Sequence, residues 1–88
     1  EIGIAGKRHR LLDADLAILG ADPAAYSTYV ASVRAEFRHV DDDAWRIGRG
    51  SVVQEFVDRT AIYATATARG LWEQRARVNL AAELAALR

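Results

Sequence analysis

The stretch Leu-Leu-Asp-Ala-Asp-Leu-Ala-Ile-Leu-Gly, residues 11–20, places two carboxylates inside an otherwise apolar run. Its leucines recur at helical spacing, which predicts a helix from about Leu11 to Leu19 that packs on a core and ends at Gly20. Asp13 and Asp15 would point about 200° apart on such a helix. A charged group in apolar surroundings is costly unless it is paired or binds a cation. We therefore expect one carboxylate to be a ligand or buried partner, and the other a cap or solvated neighbour.

The segment Asp-Ala-Asp-Leu-Ala-Ile-Leu-Gly resembles the last metal-ligand segment of the HD superfamily of metal-dependent phosphohydrolases. In that superfamily a helix carries an Ala-Asp-Leu core, and its aspartate closes a His/His-Asp/Asp metal site. The resemblance assigns this ligand role to Asp15 and a neighbouring role to Asp13. Further matching pieces follow in order between about Leu11 and Leu87: Tyr26-Ser27-Thr28-Tyr29, Val33-Arg34-Ala35-Glu36-Phe37, Gly48-Arg49, Trp72-Glu73 and Asn79-Leu80-Ala81-Ala82-Glu83-Leu84.

The histidine ligands of that superfamily have no counterpart in this sequence. An HD site needs an upstream His and an adjacent His-Asp pair, whereas His9 is followed by Arg10 and His39 by Val40. The resemblance therefore implies the C-terminal half of a predicted HD-superfamily hydrolase that uses a divalent metal ion. We expect the chain to be a fragment of such a hydrolase, a hydrolase chain seen only in part, or a truncated relative. We also expect no hydrolase activity from the 88 residues alone.

Composition narrows the class of protein. Twelve basic and twelve acidic side chains cancel, so no net field favours nucleic acid or an anionic membrane. A hydrophobic content of 51% argues against disorder, and the absence of cysteine excludes disulfides and thiolate metal sites. No apolar run approaches the roughly 20 residues of a membrane span. We expect one cytoplasmic domain or partial domain, residues 1–88, with no nucleic-acid or membrane partner.

Capping residues and apolar spacing predict three further helices. The second begins with Asp22-Pro23 and runs to about His39, and the third runs from about Asp43 to Arg59. Asp41-Asp42-Asp43 is better explained by N-capping than by a metal cluster, because it lacks the glycine and distant glutamate of an EF-hand loop. Thr65 or Thr67 should cap the last helix, which runs to about Leu87.

The apolar residues of each later helix form an expected core stripe. These stripes are Tyr26, Tyr29, Val30, Val33 and Phe37; Trp45, Val52 and Phe56 with Val53 and Val57; and Leu71, Trp72, Ala76, Leu80, Leu84 and Leu87. The expected fold is all-α, a bundle of about four helices that resembles the C-terminal part of an HD-domain fold.

Two arginines are candidates for binding a substrate phosphate. Gly48 and Gly50 interrupt the third helix, which suggests that another backbone or a ligand packs closely near Arg49. Arg49 is thus a candidate phosphate-facing cation, with Arg34 as a second candidate at the pocket rim. The alternative is a tight helix crossing in which Arg49 forms an ion pair.

Other residues of the later helices are expected to hold the fold together. Asn79 lies at the edge of the last apolar stripe, and a buried asparagine needs partners, so it should anchor a helix end or a loop. Ile62-Tyr63 should plug the edge of the core. Glu73 and Arg77 are spaced to form an ion pair on the last helix.

Two hypotheses about function follow from the sequence. In the first, the chain is part of a hydrolase acting on a phosphate ester or nucleotide. A metal held partly by Asp15 would activate water and polarise the phosphoryl oxygen. In the second, the chain is a non-catalytic helical module that binds a partner helix or forms a homo-oligomer through its Ala/Leu faces.

Overall fold

The computed structural model describes residues 12–88, so Leu11 and the basic run Lys7-Arg8-His9-Arg10 lie outside the described residues. All regular structure within 12–88 is helical, which confirms the expected all-α fold. The elements are a 3₁₀ helix (Asp13–Gly20), α1 (Pro23–Glu36), α2 (Asp42–Val57), α3 (Ala66–Ala68), a π-helical segment (Arg69–Glu73) and α4 (Gln74–Leu87). None of the helices in this part of the chain is long and apolar enough to cross a membrane.

The helix starts lie where the capping residues predicted them. Asp22 accepts a hydrogen bond from the Ala25 amide at 3.0 Å, and Asp41 accepts one from Ala44 at 2.8 Å. The hydroxyl of Thr65 accepts from the Ala68 amide at 3.1 Å. The predicted N-capping at Asp41 is therefore confirmed, and Thr65 is the cap at the start of α3. The end of α1 comes at Glu36, earlier than expected, and a turn leads into α2.

Side chains from distant parts of the sequence hold the backbone carbonyls of the 3₁₀ helix. The Tyr63 hydroxyl donates to the Leu16 carbonyl at 2.9 Å. The Asn79 amide donates to the carbonyls of Leu19 and Ala21 at 2.9 and 2.8 Å. Asn79 thus satisfies carbonyls at the C-terminal end of the helix, and Tyr63 holds one in its middle; both support a helix type that is seldom this long. The anchoring role predicted for Asn79 is confirmed.

The core lies where the 3₁₀ helix, α2 and α4 meet, and it includes the predicted plug Ile62-Tyr63. Its buried hydrophobic residues are Leu16, Leu19, Tyr26, Val53, Ile62, Tyr63, Ala68, Ala76 and Leu80. Three expected core positions are wrong, because Phe37, Val52 and Leu71 are exposed. Phe37 lies in the turn that follows the end of α1 at Glu36, so it no longer continues the stripe of that helix. Val52 and Leu71 each stand one residue before a more buried neighbour, Val53 or Trp72. One residue is a rotation of about 100° on an α-helix, which is enough to turn a side chain off the core face.

The closest backbone approach occurs at Gly20 rather than at the two glycines of α2. A Cβ atom on Gly20 would lie 2.6 Å from the Trp72 Cβ, whereas one on Gly48 or Gly50 would meet nothing within 4 Å. Within residues 12–88, the close backbone packing expected at Gly48 and Gly50 is therefore wrong, while the alternative of a ligand near Arg49 stays a prediction. The 3₁₀ helix instead packs directly on the π-helical segment, and only a residue without a side chain fits at that contact.

Candidate functional site

Asp13 fastens the 3₁₀ helix to the loop that precedes α3. Its Oδ1 accepts from the Ala64 amide at 2.8 Å, while Oδ2 accepts from the Thr65 amide at 2.9 Å and the Thr65 hydroxyl at 2.7 Å. The bonds from Ala64 and Thr65 lower the pKa of the Asp13 carboxyl. Both oxygens of Asp13 thus serve an internal capping role in the structure.

Asp15 is exposed and belongs to the first turn of the 3₁₀ helix. Its Oδ2 accepts a hydrogen bond from the Leu12 amide at 3.1 Å. The next residue, Leu16, is buried and anchors this turn to the core. The two aspartates therefore have different partners, and Asp15 is the one whose carboxylate is accessible to a ligand.

The described residues could supply one metal ligand, but they do not form a complete metal site. Within residues 12–88, no group of three or more His, Cys, Asp or Glu side chains could hold a metal ion. His39 is exposed in the turn after α1 and belongs to no such group of potential ligands among these residues. The chemistry of Asp15 fits a divalent cation, since carboxylate oxygen is a suitable ligand for such ions. The other ligands would have to come from elsewhere.

A second carboxylate, Glu73, holds the other half of the loop that Asp13 fastens. It accepts hydrogen bonds from the amides of Ile62 and Tyr63 at 3.0–3.2 Å and from Arg77 Nε at 3.0 Å, which confirms the predicted Glu73–Arg77 pair. Burial opposes ionisation of Glu73, but these bonds outweigh it and lower the pKa of the carboxyl. Four successive amides, residues 62–65, are thus held by two carboxylates; we call residues 62–65 the clamped loop.

Arg49 lies in a buried ion pair with Glu83, which confirms the ion pair of the alternative predicted for this arginine. The tight helix crossing that was part of the same alternative is not found at Gly48 or Gly50 within residues 12–88. Arg49 Nε is 2.5 Å from Glu83 Oε2 and Arg49 Nη2 is 3.0 Å from Glu83 Oε1, while the two side chains are only 9% and 6% exposed. Burial lowers the pKa of Arg49, but the bonds to Glu83 outweigh it and raise the pKa above the ordinary arginine value. The Arg49 guanidinium also lies 5.6 Å from the centre of the Tyr29 ring. Arg49 therefore joins α2 to α4.

Tyr26 brings α1 into the same cluster. Its hydroxyl donates to Glu83 Oε1 at 2.5 Å. Burial and the Glu83 carboxylate raise the pKa of Tyr26 above its ordinary value, so the hydroxyl keeps its proton at neutral pH. Glu83 is not among the site residues predicted from the sequence. The available signal was a charged residue three positions after Leu80, on the core-facing side of α4.

Arg34 closes the turn between α1 and α2. Its guanidinium donates to the carbonyls of Phe37 and Val40 at 2.8 and 3.1 Å and to Asp42 at 2.8 Å. It also lies 5.1 Å from the centre of the Trp45 ring. Arg34 and Arg49 both have protein acceptors, so a phosphate bound by either would compete with these contacts.

An open groove of about 530 Å³ runs beside the Arg49–Glu83 pair. It is lined by α1, by Trp45 near the start of α2 and by α4, and much of its surface is apolar. Three buried polar side chains also line it: Tyr26, Asn79 and Glu83. A mostly apolar groove with a few fixed polar groups has the composition typical of a small-molecule site. The groove itself was not predicted from the sequence, although Arg34, expected at a pocket rim, is one of its lining residues.

Comparison with known proteins finds no relative of this chain. No protein-family model, curated protein or solved structure matches it. The HD-superfamily resemblance thus rests on the sequence pieces given above, and it stays a prediction.

Proposed function

We propose that this chain is the C-terminal helical part of a cytoplasmic, metal-dependent phosphohydrolase of the HD superfamily, acting on a phosphate ester or nucleotide. The observation that supports this most is the geometry of Asp15. Its carboxylate is exposed at one end of the 3₁₀ helix, while Leu16 and Leu19 hold the other side of that helix in the core. A metal ligand needs this combination of an accessible oxygen and a fixed backbone.

In this proposal Asp15 is one ligand of a divalent metal, which when bound would polarise the phosphoryl oxygen and activate water. The histidine ligands and the other aspartate come from additional polypeptide. Asp13 acts on Asp15 indirectly, because its bonds to the clamped loop fix the rotation of the 3₁₀ helix. Arg34 is the more accessible of the two phosphate-binding candidates, since Arg49 would first have to leave Glu83.

Metal binding by the natural full-length protein tests the proposal. The intact mass is measured first, and a mass above the 9.7 kDa of these residues is expected. Asp15→Asn should then lower the affinity for Mn²⁺ by at least about tenfold, since even outer-shell changes at metal sites cost that much. Asp58→Asn is the matched control, because Asp58 is also exposed and accepts one side-chain hydrogen bond, from Gln54.

Three results would contradict the proposal. The first is a natural protein of 9.7 kDa, because one carboxylate cannot hold a catalytic metal. The second is unchanged Mn²⁺ affinity in the Asp15→Asn variant. The third is metal-dependent phosphatase turnover by the purified 88-residue chain, since the proposal assigns most of the ligands to other residues.

The outer side of the last helix supports a second candidate function, a helical module that pairs with a second copy of itself. Val78 on α4 and Leu71 in the preceding π-helical segment are each 62% exposed, and Ala85, seven residues after Val78 on α4, is exposed as well. Apolar residues at that spacing are typical of helices that pair. Sedimentation should then show a dimer that Val78→Glu dissociates and that Gln74→Glu, a change at a nearby exposed position, preserves. A chain that sediments as a monomer at all concentrations would contradict this candidate.

A further inference from the structure

We propose that the groove between α1 and α4 binds a small, neutral aromatic molecule that carries one N–H or O–H donor. This site is separate from Asp15 and does not depend on the proposed hydrolase function. The groove volume, about 530 Å³, lies within the range of small-molecule pockets. The nature of the ligand follows from the hydrogen bonds and charges of the groove.

The donor is required by Asn79. This side chain is only 5% exposed and lines the groove. Its Nδ2 donates to the carbonyls of Leu19 and Ala21, which fixes the orientation of the carboxamide and turns Oδ1 away from them. Within residues 12–88, Oδ1 accepts no hydrogen bond. A buried acceptor without a donor is unfavourable, so a ligand donor at this atom would be strongly preferred over a purely apolar group.

Neutrality follows from the charged groups that line the groove, Glu83 and Arg34, and from the Tyr26 hydroxyl. The charge of Glu83 is balanced by Arg49, and that of Arg34 by Asp42. The proton of Tyr26 is already donated to Glu83. These two ion pairs together carry no net charge, so a charged ligand would lose its hydration and would have to break an existing ion pair to gain a counter-ion there.

An aromatic shape follows from the walls. Pro23, Val30 and Ala82 present apolar surface, and Trp45 adds an aromatic ring. A flat ring buries much apolar area with little loss of conformational freedom, and it can pack against the indole of Trp45.

Two probe molecules of nearly the same shape test the donor requirement on the 88-residue chain. Indole carries an N–H group, whereas benzothiophene has sulfur at that position and no donor. Titrations followed by ¹H–¹⁵N NMR should show indole shifting the amides of groove residues on α1 and α4. We expect indole to bind about three- to tenfold more tightly, the effect of one hydrogen bond. Non-specific apolar binding would instead favour the more hydrophobic benzothiophene.

Two alanine substitutions on α4 test the location of the site. Ala82 and Ala81 are both exposed, but only Ala82 lines the groove. Ala82→Phe should fill the groove and weaken indole binding at least about tenfold, a loss typical of blocking a buried contact, whereas Ala81→Phe should leave it unchanged. Testing donor dependence with the ligand pair also avoids replacing Asn79, which anchors the 3₁₀ helix.

Several results would overturn the inference. Benzothiophene binding as tightly as indole would remove the donor argument, and unchanged binding by Ala82→Phe would place the ligand elsewhere. Indole binding to the 88-residue chain but not to a longer natural protein would show that a polypeptide segment occupies the groove. Asp15→Asn should leave indole binding intact, so failure here and failure of the hydrolase proposal are distinguishable.

Discussion

Replacing Glu83 by glutamine would leave the Arg49 guanidinium charged and buried without its counter-ion. Both side chains are nearly inaccessible to water, so solvent could not compensate for the lost charge. Breaking one side of a buried pair typically costs 3–5 kcal/mol, and glutamine retains an acceptor for Tyr26. We expect Glu83→Gln to lower the free energy of unfolding by about 3 kcal/mol, as measured by urea denaturation.

An exposed ion pair provides the matched control for this change. Arg46 pairs with Asp43 on the surface of α2, where both side chains are well exposed. Arg46→Ala should cost less than about 1 kcal/mol, because water screens such a pair and replaces its contacts. Equal losses for Glu83→Gln and Arg46→Ala would mean that the Arg49–Glu83 pair is not buried in solution.

Two glycine substitutions should change stability in opposite directions. Gly20→Ala puts a methyl group against Trp72, where a Cβ has only 2.6 Å of space, and should destabilise by about 1–3 kcal/mol. Gly48→Ala adds a methyl group in open space inside α2 and should stabilise by about 0.5–1 kcal/mol. Thermal unfolding of both variants measures the difference. A stabilised Gly20→Ala variant would show that the 3₁₀ helix does not pack on the π-helical segment as described.

The clamped loop is the element whose stability should depend most directly on acid. The pKa of Asp13 and of Glu73 is lower in the folded chain than the ordinary values of 3.8 and 4.5. The two ionised carboxylates therefore stabilise the folded chain fully at pH values above their ordinary pKa values. This stabilisation is lost as the pH falls through their lower pKa values in the folded chain. Urea denaturation should show a fall in unfolding free energy below about pH 4.5, and Asp13→Asn should make that fall shallower.

Hydrogen exchange can separate the two carboxylates within the clamped loop. Asp13 holds the amides of Ala64 and Thr65, while Glu73 holds those of Ile62 and Tyr63. At neutral pH, Asp13→Asn should speed exchange at Ala64 and Thr65 more than at Ile62 and Tyr63, because only the first two lose an ionised acceptor. Uniform acceleration at all four amides would show that the loop opens as one unit, contrary to this expectation.

At the scale of the whole molecule, the sequence predicted features that depend on near neighbours or on one strong physical requirement. Asp22, Asp41 and Thr65 bond to amides three residues away, so the helix starts were predictable. Asn79 was also predictable, because a buried amide must find partners wherever they are.

The remaining contacts depend on how distant elements pack against each other. Glu83 as the partner of Arg49, and Trp72 as the neighbour of Gly20, follow from the crossing of separate helices. The groove has the same origin, since α1 and α4 form it together with Trp45. No local spacing in the sequence specifies these arrangements, and the candidate site beyond Asp15 could not be predicted for that reason.

The described chain should unfold as one cooperative unit, because the same helices take part in all of its major contacts. Trp72 packs beside the 3₁₀ helix and against Tyr63, whereas Trp45 packs with Arg34 at the turn between α1 and α2. The fluorescence of the two tryptophans thus reports on different regions of the chain. Helix α4 connects these regions, because it packs in the core and also carries Glu83 of the Arg49–Glu83 pair. In Trp45→Phe and in Trp72→Phe, the urea midpoint from the remaining tryptophan should coincide with that from circular dichroism. A lower fluorescence midpoint when Trp45 is the probe would show that α1 and the start of α2 detach first, and that the buried ion pair does not couple them to the rest.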